Sequence, residues 1–370
     1  MIPSELHSIV QSNQALQEYF THSFRGIKPK GYCGFLSTPE QEYFIAPKIC
    51  DRESANLDIF LYMLMVAYDV KISNAALASC ANARHKIFEV LIRYFADGLF
   101  GELKKGVFKQ YITTQENLKV LRGKYLVDEN LKYNFKHQAI YCEFDEFSMD
   151  NELNRFFLFA IKRLMQYSRY DKLGKCEMIL DEVEFAHRDY KRINIHFDRL
   201  SSRYKQSFEL AVMILERLIP LTSRQNKSFA FLFDMGKVFE QFIGKIVQSI
   251  DESTKLQCQK NFGNLQLKPD ILTQSLIIDT KYKIIKSREE LQAGDKYQMF
   301  TYGTNFGINK TMLLYPKHGL DVSEDLVLGI REKAIELKMR SIDLESDSGF
   351  EGFVEEMKIK LEEMKDGNNH

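Results

Sequence analysis

Over the first 55 residues the apolar positions fall in short runs. "GYCGFLS" and "EYFIAPKI", flanked by glycine and proline, predict strands. From Leu57 to Tyr68 the apolar character is almost unbroken. Its densest part, "IFLYMLMVAY", is ten residues long, too short to span a bilayer, and predicts a buried helix. Ile87, Val90, Leu91, Tyr94 and Phe95 recur at helical spacing within "ARHKIFEVLIRYFADGLFGEL", which predicts a second helix ending at Gly98 and Gly101. Residues 102–150 are more polar, with "AIYCEFDEF" as a strand. "ELNRFFLFAIKRLMQY" and "YKQSFELAVMILERLIPL" follow as amphipathic helices, the latter stopped near Pro220. From "SFAFLFDMGKVFEQFIGKIVQSI" to about residue 317 the predicted order is strand, helix, strands, helix, strand, a compact α/β unit. "AIELKMRSIDL" then predicts a strand and "FVEEMKIKLEEM" a solvated helix.

This pattern divides the chain into a small strand-rich segment (1–55), a helical and mixed region (56–222) and an α/β domain (223–370). The fold class expected is α+β, with a mixed central sheet in the last domain. A chain of 370 residues with 45% hydrophobic content can build two or three cores. The net charge is zero, but it is unevenly spread. Residues 224–317 hold 14 basic and 9 acidic residues, net +5, whereas residues 319–370 hold 7 and 14, net −7. The α/β unit is thus the part suited to phosphate. The six cysteines form no C-x-x-C pair or zinc spacing and read as reduced thiols. "MIPSELHSIV" lacks the basic and apolar parts of a signal peptide, so a soluble cytoplasmic protein without membrane attachment is expected.

The candidate chemistry lies in "LKPDILTQSLIIDTKYK", residues 267–283. Strand alternation puts Asp279, Lys281 and Lys283 on one face and Ile278, Thr280 and Tyr282 on the other. "LIIDT" is apolar enough for a central strand, where an unpaired carboxylate is costly. "TQS" is a plausible turn, and pairing across it brings Asp270 near Asp279. Two adjacent carboxylates suit Mg²⁺, with Mn²⁺ as a substitute, and a lysine two residues on suits a water or a phosphate. A surface hairpin with incidental charges is the competing reading. On the upstream helix, Glu240 lies at the edge of the apolar face formed by Val238, Phe239, Phe242, Ile243 and Ile246, a candidate third acid. Downstream, Asp295, Gln298 and Tyr302 share one helix face and could line a substrate groove; alternatively Asp295 is an N-cap with Gln298 at N3.

Glu240, Pro269-Asp270, Asp279-Thr280-Lys281 and Gln298-x3-Tyr302 resemble the PD-(D/E)xK nuclease core. The chain from about 57 to 345 is similar to the McrC family, nuclease subunits of modification-dependent restriction systems. "VLRGKYLV", "FDEFSMDNELNRFFLFAIKRL", "DKYQMFTYG" and "MLLYPK" carry that likeness outside the core. The resemblance implies a metal site of Asp270, Asp279, the Thr280 carbonyl and Glu240, with Lys281 orienting the attacking water and Gln298 and Tyr302 positioning DNA. It implies a partner, a McrB-like AAA+ GTPase hexamer that binds the GTP and recognises modified cytosine in double-stranded DNA. It implies that the N-terminal half stimulates that GTPase, with Lys104 and Lys105 in "FGELKKGVFKQY" as contacts, although the family often has arginines there. Cutting both strands further suggests a homodimer through the nuclease domain.

The chain has no G-x-x-x-x-G-K-[ST] loop, in keeping with a nucleotide engine on another chain. "HRDYKRIN" (His187 to Asn194) matches a kinase catalytic loop and Asp234-Met235-Gly236 mimics D-x-G, but no glycine-rich loop or V-A-I-K strand accompanies them. Two other functions compete with the restriction nuclease: a catalytically silent adaptor that activates the GTPase, and a stand-alone repair nuclease.

Overall fold

The computed structural model describes residues 4–366 apart from 24–25, 39–40, 48, 50–55, 71–85, 135–138, 186–194, 222–227, 284–291, 319–320 and 331–333. The kinase-like stretch 187–194 lies outside the described residues. The chain forms two compact units. One joins residues 1–86 to 218–370, and the other spans 87–217.

In the first unit a six-stranded mixed sheet carries the predicted hairpin. Its strands are β1 (Lys255–Leu256), β2 (Ile271–Leu272), β3 (Ile277–Thr280), β4 (Lys310–Pro316), β5 (Ser323–Leu328) and β6 (Ile335–Ile342), in the order β1-β2-β3-β4-β6-β5. β3, β4 and β6 are parallel to one another, and the remaining pairs are antiparallel. Strands covered on both faces need apolar side chains on both, which explains "LIID" and "MLLY". On one face Ile277, Leu313, Tyr315, Leu337 and Met339 pack with Met299 and Tyr302 of helix α2 (Ala293–Phe306). On the other, Lys338 Nζ reaches the Lys365 carbonyl of helix α3 (Phe350–Asp366) at 3.2 Å. Helix α1 (Met235–Ile250) packs against β3, α3 and the helix Asn56–Ala67. Phe242 stacks on Phe353 at 5.6 Å and 19°, and Phe353 also meets Tyr62.

The first residues are not an independent segment. The strand Tyr32–Ser37 pairs with Glu42–Ile45 on one side and with Phe229–Asp234 on the other. Gly34 makes this possible. Its φ is +134°, and a Cβ there would lie 2.0 Å from the Phe231 carbonyl oxygen. Phe229–Asp234 runs straight into α1, where Asp234 is the N-cap and accepts from the Gly236 and Lys237 amides. The D-x-G triplet is therefore a helix start.

In the second unit the helix predicted to stop at Gly98 and Gly101 continues through both, from Lys86 to Lys104. Leu99 and Leu103 are buried, and this burial outweighs the low helix propensity of glycine. The true stop is Gly106, at φ +122°. The helix Glu152–Leu164 lies where the pattern predicts it, and Lys205–Arg217 stops short of Pro220 because Leu218–Pro220 pairs as a strand with Phe229–Phe231; Phe156 meets Phe208 at 4.5 Å. Buried Tyr204 donates its hydroxyl to the Gly106 carbonyl at 2.7 Å. A three-stranded antiparallel sheet is built on Ile140–Ser148, flanked by Gln110–Leu118 and Lys124–Tyr125. Lys104 and Lys105 are exposed at the helix end. Lys104 lies over the Phe100 ring and Lys105 pairs with Glu102.

Among the described residues no helix is long and apolar enough to cross a membrane. Cys33, Cys142, Cys176 and Cys258 are free thiols, the first three buried.

Candidate active site

The "TQS" turn closes as expected. Thr273 N donates to the Leu276 carbonyl at 3.0 Å, and Leu276 N returns to Thr273 Oγ1 at 2.9 Å. This fixes β2 on β3 with Ile271 opposite Ile278. One step further in that register, Asp270 stands opposite Asp279. Asp270 Oδ2 accepts from Thr280 N at 2.8 Å and Thr280 Oγ1 at 3.0 Å, so the preceding bend is tied to the end of the central strand.

Asp279 sits on the α2 face of β3 and is 2% exposed. Its Oδ2 is 2.6 Å from Lys281 Nζ, a close ion pair. Its Oδ1 accepts from Gln298 Nε2 at 3.2 Å. Gln298 Oε1 in turn accepts from Lys281 Nζ at 3.0 Å, and Gln298 Nε2 also reaches Tyr302 Oη at 2.9 Å. The Tyr302 hydroxyl donates to the Lys268 carbonyl at 3.1 Å. One turn of α2 thus joins the bend carrying Asp270 to the strand carrying Asp279, which is why the glutamine and tyrosine lie four residues apart.

Asp295 is not the N-cap of α2; that position is Gln292, and Asp295 lies inside the first turn. There its carboxylate takes Lys283 Nζ at 3.1 Å and lies 3.9 Å from Lys281 Nζ. The helix start favours the negative charge, and the two lysines offset its burial.

Glu240 does point into the site, and its neighbour there is a residue no motif announces. Gln257 Nε2 donates to Glu240 Oε1 and, at 3.3 Å, to Asp270 Oδ1, while Gln257 N donates to the Asp270 carbonyl at 2.8 Å. Gln257 is left-handed, with φ +50°, a costly conformation for a residue with a Cβ. It lies in the polar run "TKLQCQKN", where neither periodicity nor spacing marks it; only the backbone turn brings it between two acids.

Burial above all, then the neighbouring Asp270 and Asp279 carboxylates, push Glu240 up to about 7. Burial and Asp270 push Asp279 up to about 6, against the opposing pull of Lys281. For Lys281, burial works to depress the ammonium but is outweighed by Asp279, Asp295 and Asp270, so its pKa is raised and it stays charged at neutral pH.

Among the described residues no three His, Cys, Asp or Glu side chains form a ready-made metal cage. The oxygens present nonetheless fit Mg²⁺, which keeps several waters and needs only one or two carboxylates. Asp279 supplies a buried carboxylate beside Lys281, a second carboxylate stands across the register, and a third is one amide away.

The profile of the McrBC 5-methylcytosine restriction system component family matches residues 27–316, and the chain belongs to that family. Among solved structures, the chain is similar to one in a Thermococcus gammatolerans assembly of McrB AAA+ hexamers with bound McrC. That match has 20% identity, 95% of this chain and 86% of that one covered, and a TM-score of 0.58. A second, from the Thermococcus gammatolerans McrBC complex, has 26% identity over 65% of this chain and 79% of the other, with a TM-score of 0.48. No curated protein matches significantly.

Proposed function

We propose that this chain is the DNA-cutting subunit of a GTP-dependent restriction assembly, a Mg²⁺-dependent endonuclease with a PD-(D/E)xK core acting in the cytoplasm on DNA that carries modified cytosine. The observation that carries the reading is the arrangement at the end of β3, where the buried Asp279 carboxylate, with Asp270 across the register, faces a charged lysine held by Gln298.

Asp270, Asp279 and the Thr280 carbonyl would hold Mg²⁺, with Glu240 completing the set directly or through water. When bound, the ion supplies Lewis-acid polarisation of the phosphate and acidifies a water. The rest falls to the chain. Lys281 is an ammonium and so cannot be the base; it orients the attacking water and offsets charge developing on the phosphate. Gln298 keeps Lys281 and Asp279 in register, and Tyr302 pins the Lys268–Asp270 bend. In-line attack on phosphorus forms the new P–O bond as the 3′ oxygen leaves and takes a proton, giving a 5′-phosphate.

In the Thermococcus gammatolerans assembly McrC is bound to McrB AAA+ hexamers. The present chain is proposed to work with such a GTPase, which binds the GTP, through the region 56–222, with Lys104 and Lys105 among its contacts. The test is a cutting assay containing the chain, its cognate GTPase, modified plasmid, Mg²⁺ and GTP. Asp279→Ala and Lys281→Ala should each lose about 100-fold or more in rate; cutting at the wild-type rate rejects the site. Wild-type protein that stimulates GTP hydrolysis without cutting DNA identifies a silent adaptor.

A further inference from the structure

Between β1 and β2 the chain leaves the central sheet and makes a separate two-stranded hairpin, Lys260–Phe262 against Leu265–Leu267, which leads directly into Pro269-Asp270. Its two faces differ. Phe262 packs edge-on against Phe306 of α2 at 5.0 Å, Lys260 Nζ lies over the same ring at 5.5 Å, and Leu267 packs on the core beneath α2. The opposite face carries Asn261 directly across from Gln266, both exposed, and Lys268 is the next exposed residue in that alternation.

The bracing fixes where this polar face stands. Phe306 meets Tyr302, whose hydroxyl holds the Lys268 carbonyl and whose partner Gln298 holds Asp279. The hairpin is thus registered on the candidate site through the same helix that orders it, and its polar face begins two residues before Asp270. That face is rich in side-chain amides, which pair with base edges and phosphate oxygens alike, and it belongs to the basic stretch of the chain. A two-stranded ribbon is also narrow enough to enter the DNA major groove.

We infer that the Asn261–Gln266–Lys268 face of this hairpin is a contact surface for double-stranded DNA, lying in the groove beside the phosphate to be cut. The inference rests on the nuclease reading and deepens it. The two amides contact the groove and Lys268 a backbone phosphate.

The test uses the full chain carrying Asp279→Asn, so that DNA is bound and not cut, and a short fluorescein-labelled duplex read by anisotropy over a salt series. Adding Asn261→Ala with Gln266→Ala should weaken binding about tenfold, the worth of two modest hydrogen bonds. Adding Lys268→Ala should lower the slope of log affinity against log salt by about 0.9, one phosphate contact. Melting temperatures should not change, since these side chains lie outside the core. Unchanged affinity and slope in both variants overturn the inference, and if the chain with native Asp279 cuts DNA in the complete assembly, the nuclease reading stands without it. A parent that binds no duplex, in an assembly that cuts none, rejects both.

Discussion

Asp279 holds a charge where the fold would prefer none, and that makes a prediction about stability independent of catalysis. Burial and Asp270 raise its pKa from 3.8 to about 6. A carboxylic acid whose folded-state pKa is raised binds its proton more tightly in the native protein than in the unfolded chain. Its contribution is therefore most favourable below pH 3.8 and is lost as the pH rises through 6. Each tenfold in proton affinity is worth about 1.4 kcal/mol, so the ionised carboxylate costs about 3 kcal/mol at pH 7.5 and about half that at pH 5. Exposure is only 2%, so solvent screening scarcely reduces these figures. Asparagine has the same shape, carries no charge and keeps an oxygen for Gln298 Nε2. Asp279→Asn should thus stabilise the Mg²⁺-free protein at pH 7.5 by up to about 3 kcal/mol, and by about half that at pH 5. In a unit of this size that is roughly 2–4 °C per kcal/mol in melting temperature. Urea and thermal unfolding in EDTA at the two pH values measure it. An asparagine variant no more stable than wild type at pH 7.5, or a gain that does not shrink at pH 5, refutes the reasoning.

Three further outcomes follow from the same structure. Mg²⁺ should raise the melting temperature more at pH 8 than at pH 5.5, because Asp279 near 6 and Glu240 near 7 must lose protons to bind it; thermal shift across an Mg²⁺ series reads this, and equal shifts at the two pH values count against both carboxylates as ligands. Gly34→Ala should cost about 3 kcal/mol or more, since the added Cβ meets the Phe231 carbonyl and the backbone sits at φ +134°; denaturant unfolding with an unchanged midpoint would mean the pairing with Phe229–Asp234 is not as described. Phe353→Ala should cost about 3–5 kcal/mol by opening a cavity beside Phe242 and Tyr62, and a loss below 1 kcal/mol in the same assay would place α3 off the core.

Much of the candidate site is legible in the residues because its logic is local. P-D and, nine positions on, D-x-K are one turn and one strand alternation, and Gln298 and Tyr302 are one helical turn apart. Glu240 is legible as an edge position on an amphipathic helix. What escapes is set by distance in the chain. Gln257 reaches its two acids only through a left-handed backbone that its side chain does not advertise. The role of Asp295 depends on Lys283, across a stretch the pattern cannot orient. The helix through Gly98 and Gly101 persists because Leu99 and Leu103 find partners elsewhere in the fold, a tertiary effect that overrides propensity. The pairing of Tyr32–Ser37 with Phe229–Asp234 joins segments nearly two hundred residues apart, and no local signal encodes it.

That last pairing bears on how the protein is made and how it can be divided. During synthesis the early strand finds Glu42–Ile45 at once but must wait for residues 87–217 to emerge before its second neighbour exists, while the intervening unit can fold as it leaves the ribosome. A fragment beginning at residue 223 would look from the linear order like a self-contained nuclease. It would instead begin with a bare strand edge at Phe229–Asp234, immediately ahead of the helix bearing Glu240, and such edges recruit other chains. Its failure to cut DNA would then report the missing strand and not the chemistry.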